Sequence, residues 1–117
     1  MQIPINLFQT LVPEIDPQAA HERAKENALF VDVREWNEIL QAAYDVPNVV
    51  ILPMSEFEAR YNELPTDRDL IIVCRGGGRS LRATEFLLQR GYQRVVNLRG
   101  GILRWYAEGL PTKGNPN

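Results

Sequence analysis

The sequence contains few of the features that would assign it at once to a class of protein. Its 117 residues include one cysteine and one histidine. A single cysteine allows neither an internal disulfide nor an all-cysteine metal site, which is compatible with a reducing cytosol. No run approaches the roughly 18 apolar residues of a membrane helix, and the first residues lack the basic and apolar regions of a secretory signal. We therefore expect a cytoplasmic protein that does not bind membranes.

What is present is ordinary globular composition. The chain is 44% hydrophobic and 24% charged, which excludes intrinsic disorder and fibrous repeats. Its length suits one domain. We expect this domain at residues 13–111, after an N-terminal extension at 1–12 and before a frayed C-terminal tail at 112–117.

The charges are unevenly distributed along the chain. The net charge is −2, yet residues 70–104 contain seven arginines and one acidic residue, Glu85. A protein that binds nucleic acid needs a broad basic face, which an acidic chain with one basic segment does not provide. Such a segment can attract a small anion to one place. We expect a small anionic ligand and no nucleic-acid partner.

Short apolar runs alternate with amphipathic stretches, and this pattern predicts a parallel sheet covered by helices. The predicted strands are at about 14–15, 29–33, 49–52, 70–73 and 95–98. The predicted helices are at about 17–27, 35–42, 55–63, 78–90 and 102–108. Asp16 is expected to cap the helix that begins at Pro17, and residues 55–58 have the spacing of a capping box. Gly91 is expected to end the fourth helix.

The segment most informative about chemistry is Cys74-Arg75-Gly76-Gly77-Gly78-Arg79-Ser80. It joins a buried strand to an amphipathic helix, at the strand end where open α/β sheets bind ligands. Three glycines allow a tight loop whose N–H groups point inward at a helix N-terminus, as in anion-binding sites. Together with the flanking arginines, they would stabilise a thiolate, so we expect Cys74 to be ionised at neutral pH. A lone cysteine is more often a buried structural residue, and that alternative stays open here.

Four patches of the sequence resemble the rhodanese family, over about residues 14–111. They are Val31-Asp32-Val33-Arg34-Glu35, the spaced prolines Pro47 and Pro53, the loop from Cys74 to Ser80, and the C-terminal pattern from Gly91 to Trp105. The loop is similar to the family's C-R-x-G-x-R-S, and the last patch to its G-[FY]-x-x-V-x-x-L-x-G-G-[IM]-x-x-W. The third and fourth patches together are specific for single-domain sulfurtransferases.

The resemblance implies a three-layer α/β/α fold with a five-stranded parallel sheet. It also implies that Cys74 takes sulfane sulfur from thiosulfate or a similar donor and holds it as a persulfide, with neither cofactor nor metal. The outer sulfur would lie against the loop amides and Arg79, while Arg75 would attract the anionic donor. The expected substrate-binding residues are Arg75, Gly76, Gly77, Gly78, Arg79 and Ser80. The acceptor would be cyanide, an external thiol or a partner protein.

Two positions depart from the family pattern. Asp45 stands where the family usually has histidine, and Asn48 where it has glycine. Because asparagine tolerates a positive φ better than most residues, we expect the turn at Asn48 to survive. Asp32 and Arg34 end a strand that we expect to neighbour the catalytic one, and we expect them to brace the active loop.

Two other functions compete with sulfur transfer. A loop between cysteine and arginine also binds oxyanions in phosphatases and arsenate reductases. The loop here encloses four residues between Cys74 and Arg79, whereas the related phosphatase loops enclose five, which favours a sulfur atom over a phosphate. A non-catalytic rhodanese-like binding module is the third possibility, although such modules commonly lose the cysteine that this chain retains.

Overall fold

The computed structural model describes residues 12–117, and they form seven strands and five α-helices. The strands are β1 (Glu14–Ile15), β2 (Leu29–Asp32), β3 (Ala42–Tyr44), β4 (Val49–Ile51), β5 (Leu70–Val73), β6 (Val95–Leu98) and β7 (Thr112–Gly114). The helices are α1 (Pro17–Lys25), α2 (Trp36–Gln41), α3 (Met54–Arg60), α4 (Gly78–Gln89) and α5 (Gly101–Ala107), with a 3₁₀ turn at Tyr61–Glu63. No helix of this part of the chain is both long and apolar enough to cross a membrane.

Five of the strands form one parallel sheet in the order β1-β6-β5-β2-β4, which confirms the predicted sheet. The central strand β5 is buried along its whole length. Its side chains alternate between two cores: Ile71 and Val73 pack with residues of α1 and α5, whereas Leu70 and Ile72 pack with residues of α3 and α4. A strand covered on both faces needs apolar side chains at every position, which explains the uniformly apolar run. The three-layer α/β/α architecture is as expected.

The C-terminal tail differs from the prediction. Thr112–Gly114 form β7, which pairs antiparallel with β3 in a second, two-stranded sheet. The predicted frayed tail at 112–117 is therefore wrong at these residues. Three residues are too few to show a strand's alternation, and their partner lies about 70 residues away in the sequence. Of the predicted extension at 1–12, all but Val12 lies outside the described residues, and Val12 itself is buried.

Both predicted side-chain caps are also wrong. The predicted start of α1 is confirmed, with Asp16 at the N-cap position before Pro17, but the Asp16 carboxylate makes no capping hydrogen bond and accepts one from Arg99 Nη1 at 2.9 Å. Helix α3 begins one residue earlier than predicted, after Pro53, and Ser55 donates its hydroxyl to Glu35 Oε1 at 2.8 Å. In each case a partner distant in sequence takes the side chain that local spacing assigned to a helix end.

Candidate active site

Cys74 lies at the carboxyl end of β5, in the centre of the sheet. The loop after it leads into α4, which begins at Gly78 directly after Gly77. Gly77 has φ +99°, a left-handed conformation that favours glycine. Gly76 and Gly78 have neither a positive φ nor a neighbour close to an added Cβ. Of the three consecutive glycines, only Gly77 therefore occupies a position where the backbone conformation requires glycine.

The sulfur of Cys74 is surrounded by polar hydrogens although the residue is only 1% exposed. The backbone N–H groups of Gly77 and Ser80 donate to Sγ, with N···S distances of 3.1 and 3.4 Å. The Ser80 hydroxyl oxygen lies 3.1 Å from the same sulfur. A structural cysteine in an apolar core would have no such partners. This arrangement, at a helix N-terminus, is suited to hold negative charge on sulfur.

Two carbonyl groups of the loop accept hydrogen bonds from α5 and from a tyrosine. Ile102 N–H donates to the Cys74 carbonyl at 3.0 Å, and Leu103 N–H donates to the Arg75 carbonyl at 3.2 Å. Tyr44 also donates its hydroxyl to the Cys74 carbonyl, at 2.8 Å. At Gly101, with φ +60°, an added Cβ would collide with the Arg75 carbonyl. These contacts fix the backbone of the loop at Cys74 and Arg75.

Asp32 and Arg34 form a buried ion pair close to this loop. Arg34 donates from Nη2 to Asp32 at 2.8 Å and from Nη1 to the Ala42 carbonyl at 2.9 Å. Burial alone would lower the pKa of Arg34, but the hydrogen bonds and charge of Asp32 outweigh it and raise that pKa. Among the described residues, neither side chain is hydrogen-bonded to residues 74–80. The Arg34 guanidinium lies over the ring of Tyr44, 5.4 Å from its centroid, so any bracing of the loop acts through Tyr44 and stays a prediction.

The two loop arginines have different surroundings. Arg79 donates from both Nη atoms to the two carboxylate oxygens of Glu38, each at 2.7 Å. This pairing raises the pKa of Arg79 and lowers the pKa of Glu38. Arg75 is exposed and makes no ion pair with any residue from 12 to 117. The predicted role of Arg79 in holding the outer sulfur remains a prediction.

Three residues that position the site were missed from the sequence: Glu38, Tyr44 and Gly101. Glu38 had a readable signal, because Glu35 and Glu38 have the capping-box spacing that the structure uses to begin α2. Tyr44 had none, since 30 residues separate it from the carbonyl that it binds. The reason given for Asn48 does not apply, because Asn27 is the only residue other than glycine with a positive φ in the described chain. The turn at Asn48 therefore needs no left-handed residue.

The fold and this strand–loop–helix site define the class of protein. The rhodanese-like domain family matches residues 16–108, which is most of the chain. The chain belongs to this family, as the sequence patches predicted.

Individual relatives indicate the general kind of activity. A sulfurtransferase of Allochromatium vinosum is 45% identical over 103 residues, covering 86% of this chain and 94% of the relative. The putative sulfur carrier protein YrkF of Bacillus subtilis is 33% identical, with 80% of this chain and 51% of the relative covered. The solved structure of a rhodanese-related protein from Thermoplasma volcanium is similar with a TM-score of 0.76 and 31% identity, covering 86% of this chain and 97% of that one. These likenesses support sulfur transfer as the general activity.

Proposed function

We propose that this protein transfers sulfane sulfur from thiosulfate or a similar anionic donor to an external acceptor, through a persulfide on Cys74. The observation that carries the proposal is the environment of the Cys74 sulfur. Two backbone N–H groups and the Ser80 hydroxyl converge on a sulfur at the carboxyl end of the central strand. These donors would stabilise the attacking thiolate and then the persulfide that replaces it.

The first half of the reaction loads the enzyme. The Cys74 thiolate attacks the outer sulfur of thiosulfate, and a new S–S bond forms as the S–S bond of the donor breaks. Sulfite leaves with the electron pair, and the negative charge stays on the outer sulfur of the persulfide. A thiolate and a good sulfur donor need no general base. The only histidine, His21, packs against Trp105 with 5.6 Å between ring centroids and has no part in this step.

The second half needs a nucleophile from outside the chain. Because Cys74 is the only cysteine, no internal thiol can attack the persulfide. Cyanide would take the outer sulfur as thiocyanate and restore the thiolate, and a small thiol or a protein thiol would take it as a new persulfide. The likeness to a protein named as a sulfur carrier supports a protein acceptor. The reduced thiols of the cytoplasm would fit this requirement.

The test is mass spectrometry of the intact protein and of its Cys74 peptide after each half-reaction. Thiosulfate alone should add one sulfur atom to the peptide that contains Cys74, and cyanide should remove it with release of an equal amount of thiocyanate. The C74A variant serves as the control and should gain no sulfur. If the mass stays unchanged while turnover proceeds with both substrates present, the sulfur does not reside on Cys74 and the proposal fails.

A further inference from the structure

Glu38 is a fixed carboxylate next to the proposed active loop. Besides its two hydrogen bonds to Arg79, its Oε2 accepts a hydrogen bond from Glu35 N–H at 3.1 Å. Glu35 is itself held by Ser55, which donates its N–H and its hydroxyl to the carboxylate. Because the pKa of Glu38 is lowered by its bonds to Arg79, the group carries its full negative charge at neutral pH.

This carboxylate is linked to the reacting loop through Arg79, and it lies beside the second arginine. The charge of a Cys74 thiolate contributes to the raised pKa of Arg79, the partner of Glu38. Glu38 and Arg75 also line the same small cavity, of about 30 Å³, beside the loop. The other lining residues are Arg34, Gln41, Ile102 and Pro116.

The local charges therefore differ from those expected of an arginine-rich loop. Arg75 and Arg79 contribute two positive charges, and Glu38 with the Cys74 thiolate contributes two negative charges. The opposite charges of the buried pair Asp32 and Arg34 cancel each other. These four charges sum to zero when Cys74 is the thiolate, so Glu38 offsets positive charge that the two loop arginines would otherwise present to an incoming donor.

We propose that Glu38 is a specificity-determining residue, which neutralises Arg79 and so favours sulfur donors with one negative charge over dianionic thiosulfate. The inference rests on the proposed sulfur transfer through Cys74 and narrows its substrate class. Glu38 does not touch the reacting atoms. It acts through the charge that the donor meets, because the energy between a fixed charge and a donor scales with the charge of the donor.

The test compares two donors that differ by one charge: thiosulfate, and the monoanion methanethiosulfonate, which loses methanesulfinate when it gives up its outer sulfur. In E38Q, kcat/KM for thiosulfate should rise relative to that for methanethiosulfonate by about three- to tenfold, the order of magnitude expected for removing one nearby unit charge in a high-dielectric site. The gain should shrink as ionic strength increases. E38D keeps the charge and should retain the wild-type donor ratio, which is kcat/KM for thiosulfate divided by kcat/KM for methanethiosulfonate.

A matched control is available elsewhere in the chain. Glu63 binds Arg60 through two hydrogen bonds of 3.0 Å, on the 3₁₀ turn that leads back to the start of β5, at the sheet edge opposite the loop. E63Q removes the same charge from a more exposed pair, in which Arg60 also keeps its bond to Glu56 at 2.7 Å, and it should leave the donor ratio unchanged. Gln41 provides a variant independent of the Glu38 network: Q41E adds a carboxylate beside the same cavity and should lower the ratio.

An unchanged ratio in a folded E38Q, with equal losses for both donors, would show a purely structural role and overturn the inference. If E38Q does not fold, an unchanged ratio in Q41E overturns it in the same way. Failure of either donor to load Cys74 in the wild-type protein is a different result, because it would refute the proposed function itself.

Discussion

Helices α4 and α5 begin in almost the same way but use their first amides differently. Each follows a glycine in the left-handed conformation, Gly77 with φ +99° and Gly100 with φ +82°. The amides at the start of α4 point at the Cys74 sulfur, whereas the first amides of α5 bind carbonyl oxygens of the loop. Helix starts supply unpaired donors wherever they occur. The group in front of them decides whether those donors stabilise a reactive atom or hold the backbone.

The two helix starts also depend on each other. A Cβ on Gly77 would lie 3.1 Å from the Gly100 nitrogen, and a Cβ on Gly101 would collide with the Arg75 carbonyl. The start of α5 therefore works as a support for the start of α4. Substitutions at the two helix starts should have distinguishable effects, because the start of α4 faces the reacting sulfur and the start of α5 holds the backbone of the loop.

The largest effect is expected from C74A, which removes the group that the α4 amides face. Sulfur transfer should fall below detection, because no other thiol in the chain can hold the sulfur. Stability should fall by about 1–3 kcal/mol, since one small buried atom is lost and the N–H groups that face it lose a weak acceptor. Thiocyanate formation and thermal melting measure the two effects. Residual transfer in C74A would contradict the role of this residue, whereas loss of the fold would contradict the small stability cost.

A large but different effect is expected from G101A on the α5 side. The new methyl group meets the Arg75 carbonyl at a residue with φ +60°, so stability should fall by about 2–4 kcal/mol. Displacement of the loop should also lower sulfur transfer at least tenfold.

Gly109 provides the matched control for G101A. It has φ +78° but no atom within 4 Å of an added Cβ. G109A should therefore cost only the strain of the left-handed backbone, about 1–2 kcal/mol, and leave activity unchanged. Equal losses of activity in G101A and G109A would show that the support by α5 does not depend on this close approach.

The smallest effect is expected from Y44F, which removes one of two donors to the Cys74 carbonyl. Ile102 N–H still binds that oxygen, so the cost should be about 1 kcal/mol. Burial raises the pKa of Tyr44 well above 10 in the folded protein. An unfolded tyrosine ionises near pH 10, so the stability tied to Tyr44 is present below that pH and lost as the pH rises further. Denaturant unfolding at pH 8 and pH 11 should show a smaller alkaline loss in Y44F, and an equal loss would contradict this assignment.

The sequence by itself determined the parallel sheet and the position of Cys74 within it. Alternating apolar runs and amphipathic stretches are local patterns, and burial on both faces of β5 requires its continuous apolar run. The strand, cysteine, glycine turn and helix are adjacent along the chain, so their order could be predicted from neighbouring residues, whereas α5 and Tyr44 hold the loop carbonyls from distant positions. The end of α4 was also predicted from a local feature: Gly91 takes the left-handed conformation, with φ +92°, that a helix end favours.

Only the tertiary structure decided which partners the polar side chains take. Asp16 and Ser55 had local capping positions, yet they bind Arg99 and Glu35 instead. Arg79 was predicted to contact the outer sulfur of the persulfide. The fold places the carboxylate of Glu38, 41 residues away in the sequence, against its guanidinium. Spacing along the chain says nothing about such pairs, because the distance between their side chains depends on how whole elements pack. The fold, and not the count of arginines in residues 70–104, therefore sets the charge at the loop.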